Sequence, residues 1–195
     1  MLFEDISAVL PTGLFIPREM KELFDWINTN NNIINGVGYL GDDCPTRVEF
    51  SASRNSSLKY WFGHERPEVI KRLCVFCKTG ADGSMAALWL ADDGTQKVVH
   101  LGSGSGSIMN CILADSFIDF IRLLAIGYDE IAWESDLAAE CTSIRDAQKS
   151  KFYKWVVSTY GVKVPAIGSA IVRAISLNNG LSTNDEFSRW IEVNV

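Results

Sequence analysis

The chain has 195 residues, 47% hydrophobic and 22% charged. That fits one folded domain, or one with an added subdomain, and excludes a disordered chain. The net charge of −6 argues against nucleic acid as a direct ligand, because phosphate binding draws on clustered Lys and Arg.

The opening "MLFEDISAVL" carries Glu4 and Asp5 where the positive segment of a secretory leader would stand. No run reaches the ~18 apolar residues of a spanning helix, so a cytoplasmic protein with no membrane partner is expected. "PREMKELFDWINTN" (17–30) reads as a helix. Pro17 suits its first turn, and Met20, Leu23, Phe24 and Ile27 recur at helical spacing. The short apolar pieces "IINGVGYL", "RVEFSAS" and "LKYWFG" are bounded by Gly, Asp, Asn or Ser and read as strands or loop ends.

Pro67 opens a second helix, "PEVIKRL", which runs into the apolar segment "LCVFCK". "MAALWLADDGTQKVVHL" is the clearest hairpin signal, with Asp93-Gly94 suited to its tight turn. "IMNCILA" reads as a further strand. In "DSFIDFIRLLAIGYDEI", Asp115 or Ser116 can cap a helix whose Phe117, Phe120, Ile121 and Leu124 share one face, and Gly127 is placed to end it. The last third reads as helices over roughly 144–160, 166–177 and 185–193, punctuated by Gly161, Pro165 and "NNGLS". A helix, then strands, then helices is an α+β order. The expected sheet is mixed and mainly antiparallel, with flanking helices and a C-terminal helical extension.

Four features invite chemistry. "LGSGSGSIM" (101–109) follows a strand, as phosphate-cradling loops do. A phosphate loop, however, opens a helix, whose free N–H groups meet the anion. Here a strand follows, no Lys-Ser or Lys-Thr stands after the last glycine, and the Gly-x-Gly-x-x-Gly spacing is missing. The run reads as a connection between strands. Cys74-x-x-Cys77 could be half a zinc site, but no second close pair completes a tetrahedral set. In a strand, positions i and i+3 point to opposite faces, so buried structural cysteines are expected. The five cysteines (Cys44, Cys74, Cys77, Cys111, Cys141) are an odd number, which suits free thiols in a reducing compartment. His64 and His100 are the only histidines, and neither lies in a recognisable nucleophile context. No catalytic residue, metal site or cofactor is assigned.

The fourth feature is charge. Seven acids and one base lie between Asp115 and Glu140, a net −6 that equals the charge of the whole chain. Arg145, Lys149, Lys151, Lys154 and Lys163 form a basic counterpart downstream. If Gly127 ends its helix, "YDEIAWESD" stands exposed. The expected partner-binding residues are then Tyr128, Asp129, Glu130, Trp133, Glu134 and Asp136, with Tyr128 or Trp133 as an aromatic anchor. Asp42, Asp43, Asp92 and Asp93, in hairpin loops, are the next candidates.

"LWLADDGTQKVVHLGSGSGSIMNCILADSFIDFIRLLAIGYDEIAW", together with "IPREMKELFDWI", resembles the SUKH superfamily of bacterial immunity proteins, which also includes a fungal cell-wall-synthesis regulator. The resemblance covers about residues 16–133. It implies a SUKH-like α+β domain over 1–135, with 136–195 a helical extension packed on the same domain. It implies no chemistry. It implies direct binding of a cognate protein toxin, often a nuclease or another effector delivered between competing cells. A basic toxin surface would suit the acids named above. Two alternatives stay open: a regulatory scaffold, which a copurifying host complex would favour, and a small-molecule enzyme, which turnover lost on mutating His64 or Cys77 would favour. The oligomeric state is left open.

Overall fold

The computed structural model describes residues 2–62, 66–176 and 185–194. Two helices come first, α1 (Leu2–Val9) and α2 (Arg18–Thr29). Pro17 lies just outside the second, at its N-cap. A two-residue hairpin follows, β1 (Ile33–Ile34) and β2 (Val37–Gly38). Its turn residues Asn35 and Gly36 both take positive φ, 51° and 79°, as a type I′ turn demands. Strand β3 (Glu49–Phe50) leads to a 3-10 turn at Ser53–Ser57 and the short helices α3 (Leu58–Trp61) and α4 (Pro67–Ile70).

The central strands are β4 (Leu73–Lys78), β5 (Met85–Leu90), β6 (Gln96–Leu101) and β7 (Cys111–Ala114). Strands pair in chain order, β1 to β7, and every pairing is antiparallel. The fold is α+β, and the expected mixed sheet is an antiparallel meander. Alternation explains its two buried faces. In β5, Ala86 and Leu88 enter one hydrophobic cluster, while Met85, Ala87 and Trp89 enter the other.

Helix α5 (Phe117–Ile126) lies on the first face. Ser116 caps it by accepting from the Asp119 amide, and Gly127 ends it at φ 101°, where a Cβ would run into Ala147. Phe117 and Phe120 pack on Phe76, with ring centroids 5.5 and 5.4 Å away. The remaining helices are α6 (Glu134–Ala138), α7 (Ile144–Ala147), α8 (Lys151–Tyr160), α9 (Arg173–Ser176) and α10 (Glu186–Asn194).

Three sequence expectations need correction. "LKYW" is helical rather than a strand or loop end. The expected helix over 144–160 breaks between α7 and α8, where the Ser150 side chain accepts from the Tyr153 amide and starts a new helix. In place of the helix expected over 166–177, the described residues 166–176 hold a 3-10 turn, Gly168–Ala170, followed by α9. "NNGLS" and His64 lie outside the described residues.

The C-terminal helices are integral to both cores. Phe152 and Val156 of α8 join the cluster of α2 and α5, and Trp26 meets Phe152 and Trp155 at 5.5 Å. On the opposite face, Phe187 and Trp190 of α10 cover Trp89 at 5.1 and 5.6 Å. Asp185, beside α10, accepts from the Ile112 amide at 3.1 Å and so satisfies one amide on the outer edge of β7.

Candidate functional site

The β4–β5 turn carries Asp82, and the glycine-serine run closes over it. One carboxylate oxygen accepts from the Ser107 amide at 2.9 Å and from the Ser103 and Ser84 hydroxyls at 2.8 Å. The other accepts from the Ser84 amide at 3.0 Å. Burial alone would raise the carboxyl pKa, but these four donors outweigh it and hold the group down at about 2. Gly106 is required here, because a Cβ would lie 2.8 Å from the Asp82 Cβ. Gly104, at φ 75°, lets the loop turn back so that its amide reaches the Ser107 carbonyl. The run does cradle an anion, and the anion is the protein's own side chain.

His100 lies beneath this loop and is fully buried. Its Nδ1 is 2.7 Å from the Met109 carbonyl oxygen. Its Nε2 is 2.7 Å from the Ile131 carbonyl oxygen and 3.1 Å from Thr79 Oγ1. Burial lowers the imidazole pKa, while the Met109 and Ile131 carbonyls, then the Asp82 charge, oppose that effect. The ring joins the glycine-serine loop to the segment carrying the acids.

That segment is only partly exposed. Ile131 and Ala132 are fully buried, and the Ile131 amide donates to the Thr79 carbonyl at 2.9 Å. Glu130 accepts from the Ala81 amide at 2.8 Å. Asp129 faces water beside Arg47, 3.1 Å away, a solvated pair that contributes little to stability. Tyr128 is not the exposed anchor that the sequence suggested. It is 7% exposed, donates its hydroxyl proton to the Ala139 carbonyl at 2.7 Å and accepts from the Gly168 amide at 2.9 Å. Those partners come from the C-terminal third, out of reach of local sequence reading. Trp133 is 40% exposed and remains available.

Around Trp133 the surface opens into a cleft of about 360 Å³, lined among others by Asp129, Glu130, Asp136 and Glu140. Glu140, the last of these, was missed as a site residue, although it closes the acid-rich stretch of sequence. Glu134 borders a second groove beside it. Asp43 stands near this end of the molecule. Its carboxylate accepts from the Lys151 amide at 2.9 Å, and the loop that carries Asp42 and Asp43 continues to Arg47, whose amide meets the Asp129 carbonyl. Asp92 and Asp93 do not belong to this site. The first pairs with Arg72 and the second accepts from Thr95, both at the far end of the β5–β6 hairpin, about 17 Å along the strands.

Burial disfavours the thiolate at all five cysteines. All five are free and buried, and burial pushes the Cys44 and Cys74 thiols up to about 11 and 12. Cys74 and Cys77 correct the sequence reading in one respect. A β-bulge between Val75 and Cys77 shifts the register, so both thiols join the same cluster rather than opposite faces. No group of three or more metal-ligating side chains occurs among the described residues. No described helix is long and apolar enough to cross a membrane.

Comparison with protein-family models, curated proteins and solved structures finds no match to this chain.

Proposed function

We propose that the chain is an immunity protein that binds and neutralises a cognate toxin by direct contact, through the acidic end around Trp133. The observation that carries this reading is the cleft that places Asp129, Glu130, Asp136 and Glu140 beside an exposed tryptophan. Such a surface has the charge to steer a basic protein and occlude a phosphate-holding face, and it has an aromatic side chain of the kind that anchors interfaces. The sequence resemblance to SUKH proteins supports the same reading.

The test is association with the product of the neighbouring gene, which this reading expects to be a toxin, measured across ionic strength, with cell protection scored in parallel. Asp136→Lys with Glu140→Lys is the cleanest charge reversal, because both residues are exposed, whereas Glu130 also holds the Ala81 amide. The association rate should fall by about tenfold or more at low salt and lose much of its salt dependence, with the melting temperature unchanged. Undiminished binding and protection would overturn the reading.

A further inference from the structure

Beside the acidic cleft runs a second groove of about 250 Å³, lined by Ser107, Ile108, Met109, Ala132, Trp133, Glu134 and Ser135. Ile108 is 68% exposed and Trp133 40%, so two large apolar side chains form its lips. Met109 and Ala132 are buried beneath them. The volume falls below the ~300–1,000 Å³ of small-molecule sites and suits one or two inserted side chains.

The lips are fixed before anything binds. Next to Ile108, the Met109 carbonyl is held by His100 Nδ1 and the Met109 amide by Ser107 Oγ, at 2.7 and 3.1 Å. Two residues before Trp133, the Ile131 carbonyl oxygen lies 2.7 Å from His100 Nε2, and the Ile131 amide donates to the Thr79 carbonyl at 2.9 Å. His100 thus sits between the two lips, with one ring N–H to donate to a carbonyl while the ring is neutral and two when it is protonated. A preset groove avoids the ordering cost that weakens binding by mobile loops.

Charge selects the occupant. Glu134 lines the groove, and Trp133 is shared with the cleft that holds Asp129, Glu130, Asp136 and Glu140. Among the described residues, no Lys or Arg lines either opening. An apolar side chain entering between Ile108 and Trp133 brings its chain neighbours towards Glu134 and the cleft carboxylates, which favours cationic neighbours. The Trp133 ring adds a face for a cation.

We infer that the groove between Ile108 and Trp133 receives an apolar side chain of the partner protein, flanked in its sequence by Lys or Arg. This rests on the reading that the acidic end meets a basic protein, and it specifies the motif which that protein presents.

The probes are two blocked tripeptides, acetyl-Lys-Leu-Lys-amide and acetyl-Glu-Leu-Glu-amide, titrated into the full chain labelled for NMR. The basic peptide should move the Trp133 indole N–H and the Ile108 methyl resonances with millimolar affinity, and the acidic peptide should leave them in place. Ile108→Ser, at an exposed position, should weaken the basic peptide about tenfold while the rest of the spectrum stays unchanged. Equal response to both peptides, or none to either, overturns the inference. Shifts confined to Glu140 and Thr142 also overturn it, while leaving the acidic-end reading intact. Movement of the same resonances on diluting the protein alone would assign the groove to a second copy, and that too overturns it.

Discussion

The Asp82 carboxylate accepts the Ser107 amide hydrogen across 2.9 Å, joining two loops that lie twenty-five residues apart in the chain. Through that bond the glycine-serine run becomes an ordered lip of the groove. A turn between two strands has to satisfy its own amides, and here a side chain from the neighbouring turn does so.

Asp82→Asn keeps the shape and removes the charge. It should cost about 1–3 kcal/mol, because hydrogen bonds to a charged group are stronger than neutral ones. Urea denaturation measures the loss. The pH dependence has a definite sign. The folded-state pKa is about 2, below the ordinary 3.8, so this stabilisation is present above pH 3.8 and is lost as the pH falls from there through 2. The Asn variant should lack that part of the acid dependence. A variant as stable as the parent at pH 7 would show that the loop does not depend on the carboxylate.

Phe120 is fully buried against Phe76 on the sheet. Phe120→Ala should destabilise the fold by about 3–5 kcal/mol. A measured loss under about 1 kcal/mol would mean that the inward face of α5 is wrongly assigned.

Elements with local signals were legible in the sequence. The β5–β6 hairpin follows from Asp93-Gly94 between two apolar runs, and α5 follows from its stripe and the Ser116 and Gly127 caps. Asn35-Gly36 was an equally good turn signal and was passed over. What escaped was decided at long range. The piece holding Leu58–Trp61 reads as a strand or loop end from its bounding residues but is helical, with Leu58 buried in the second cluster. The bulge beside Phe76 puts Cys74 and Cys77 on one face, and no spacing rule encodes it. Tyr128 reads as a surface residue after a helix end until Ala139 and Gly168 arrive to take its hydroxyl. The acidic stretch was visible as charge. Its groove was not, because the lips come from segments apart in sequence that meet through His100 and the β4–β5 turn.

Phe187 of α10 is fully buried against Trp89. If residues after 136 complete the core rather than decorate it, Phe187→Ala should cost about as much as Phe120→Ala, roughly 3–5 kcal/mol. Unfolding of the parent chain should be a single transition by both tryptophan fluorescence and circular dichroism. Two separated transitions, with Phe187→Ala moving only one of them, would mark the C-terminal helices as an independent unit.

His100 gives the neutral-pH counterpart to Asp82. Burial lowers its folded-state pKa from the ordinary 6.5, so the folded chain favours the neutral ring. Its contribution to stability is then complete above pH 6.5 and is lost as the pH falls below that value, by at most about 1.4 kcal/mol per pH unit for one proton. The two carbonyls on the ring nitrogens and the Asp82 charge oppose the shift, because a protonated ring donates to both carbonyls, and they keep the loss below that limit. Melting temperatures of the parent and of His100→Gln, compared at pH 7.5 and 5.5, isolate the effect, because carboxylates titrate alike in both. The parent should lose more stability on acidification than the variant. His100→Gln should also be less stable at pH 7.5, since the amide leaves part of the fully buried ring's space unfilled. A parent that gains stability on acidification relative to the variant would reverse the sign and show that the ring is held as the cation in the folded protein.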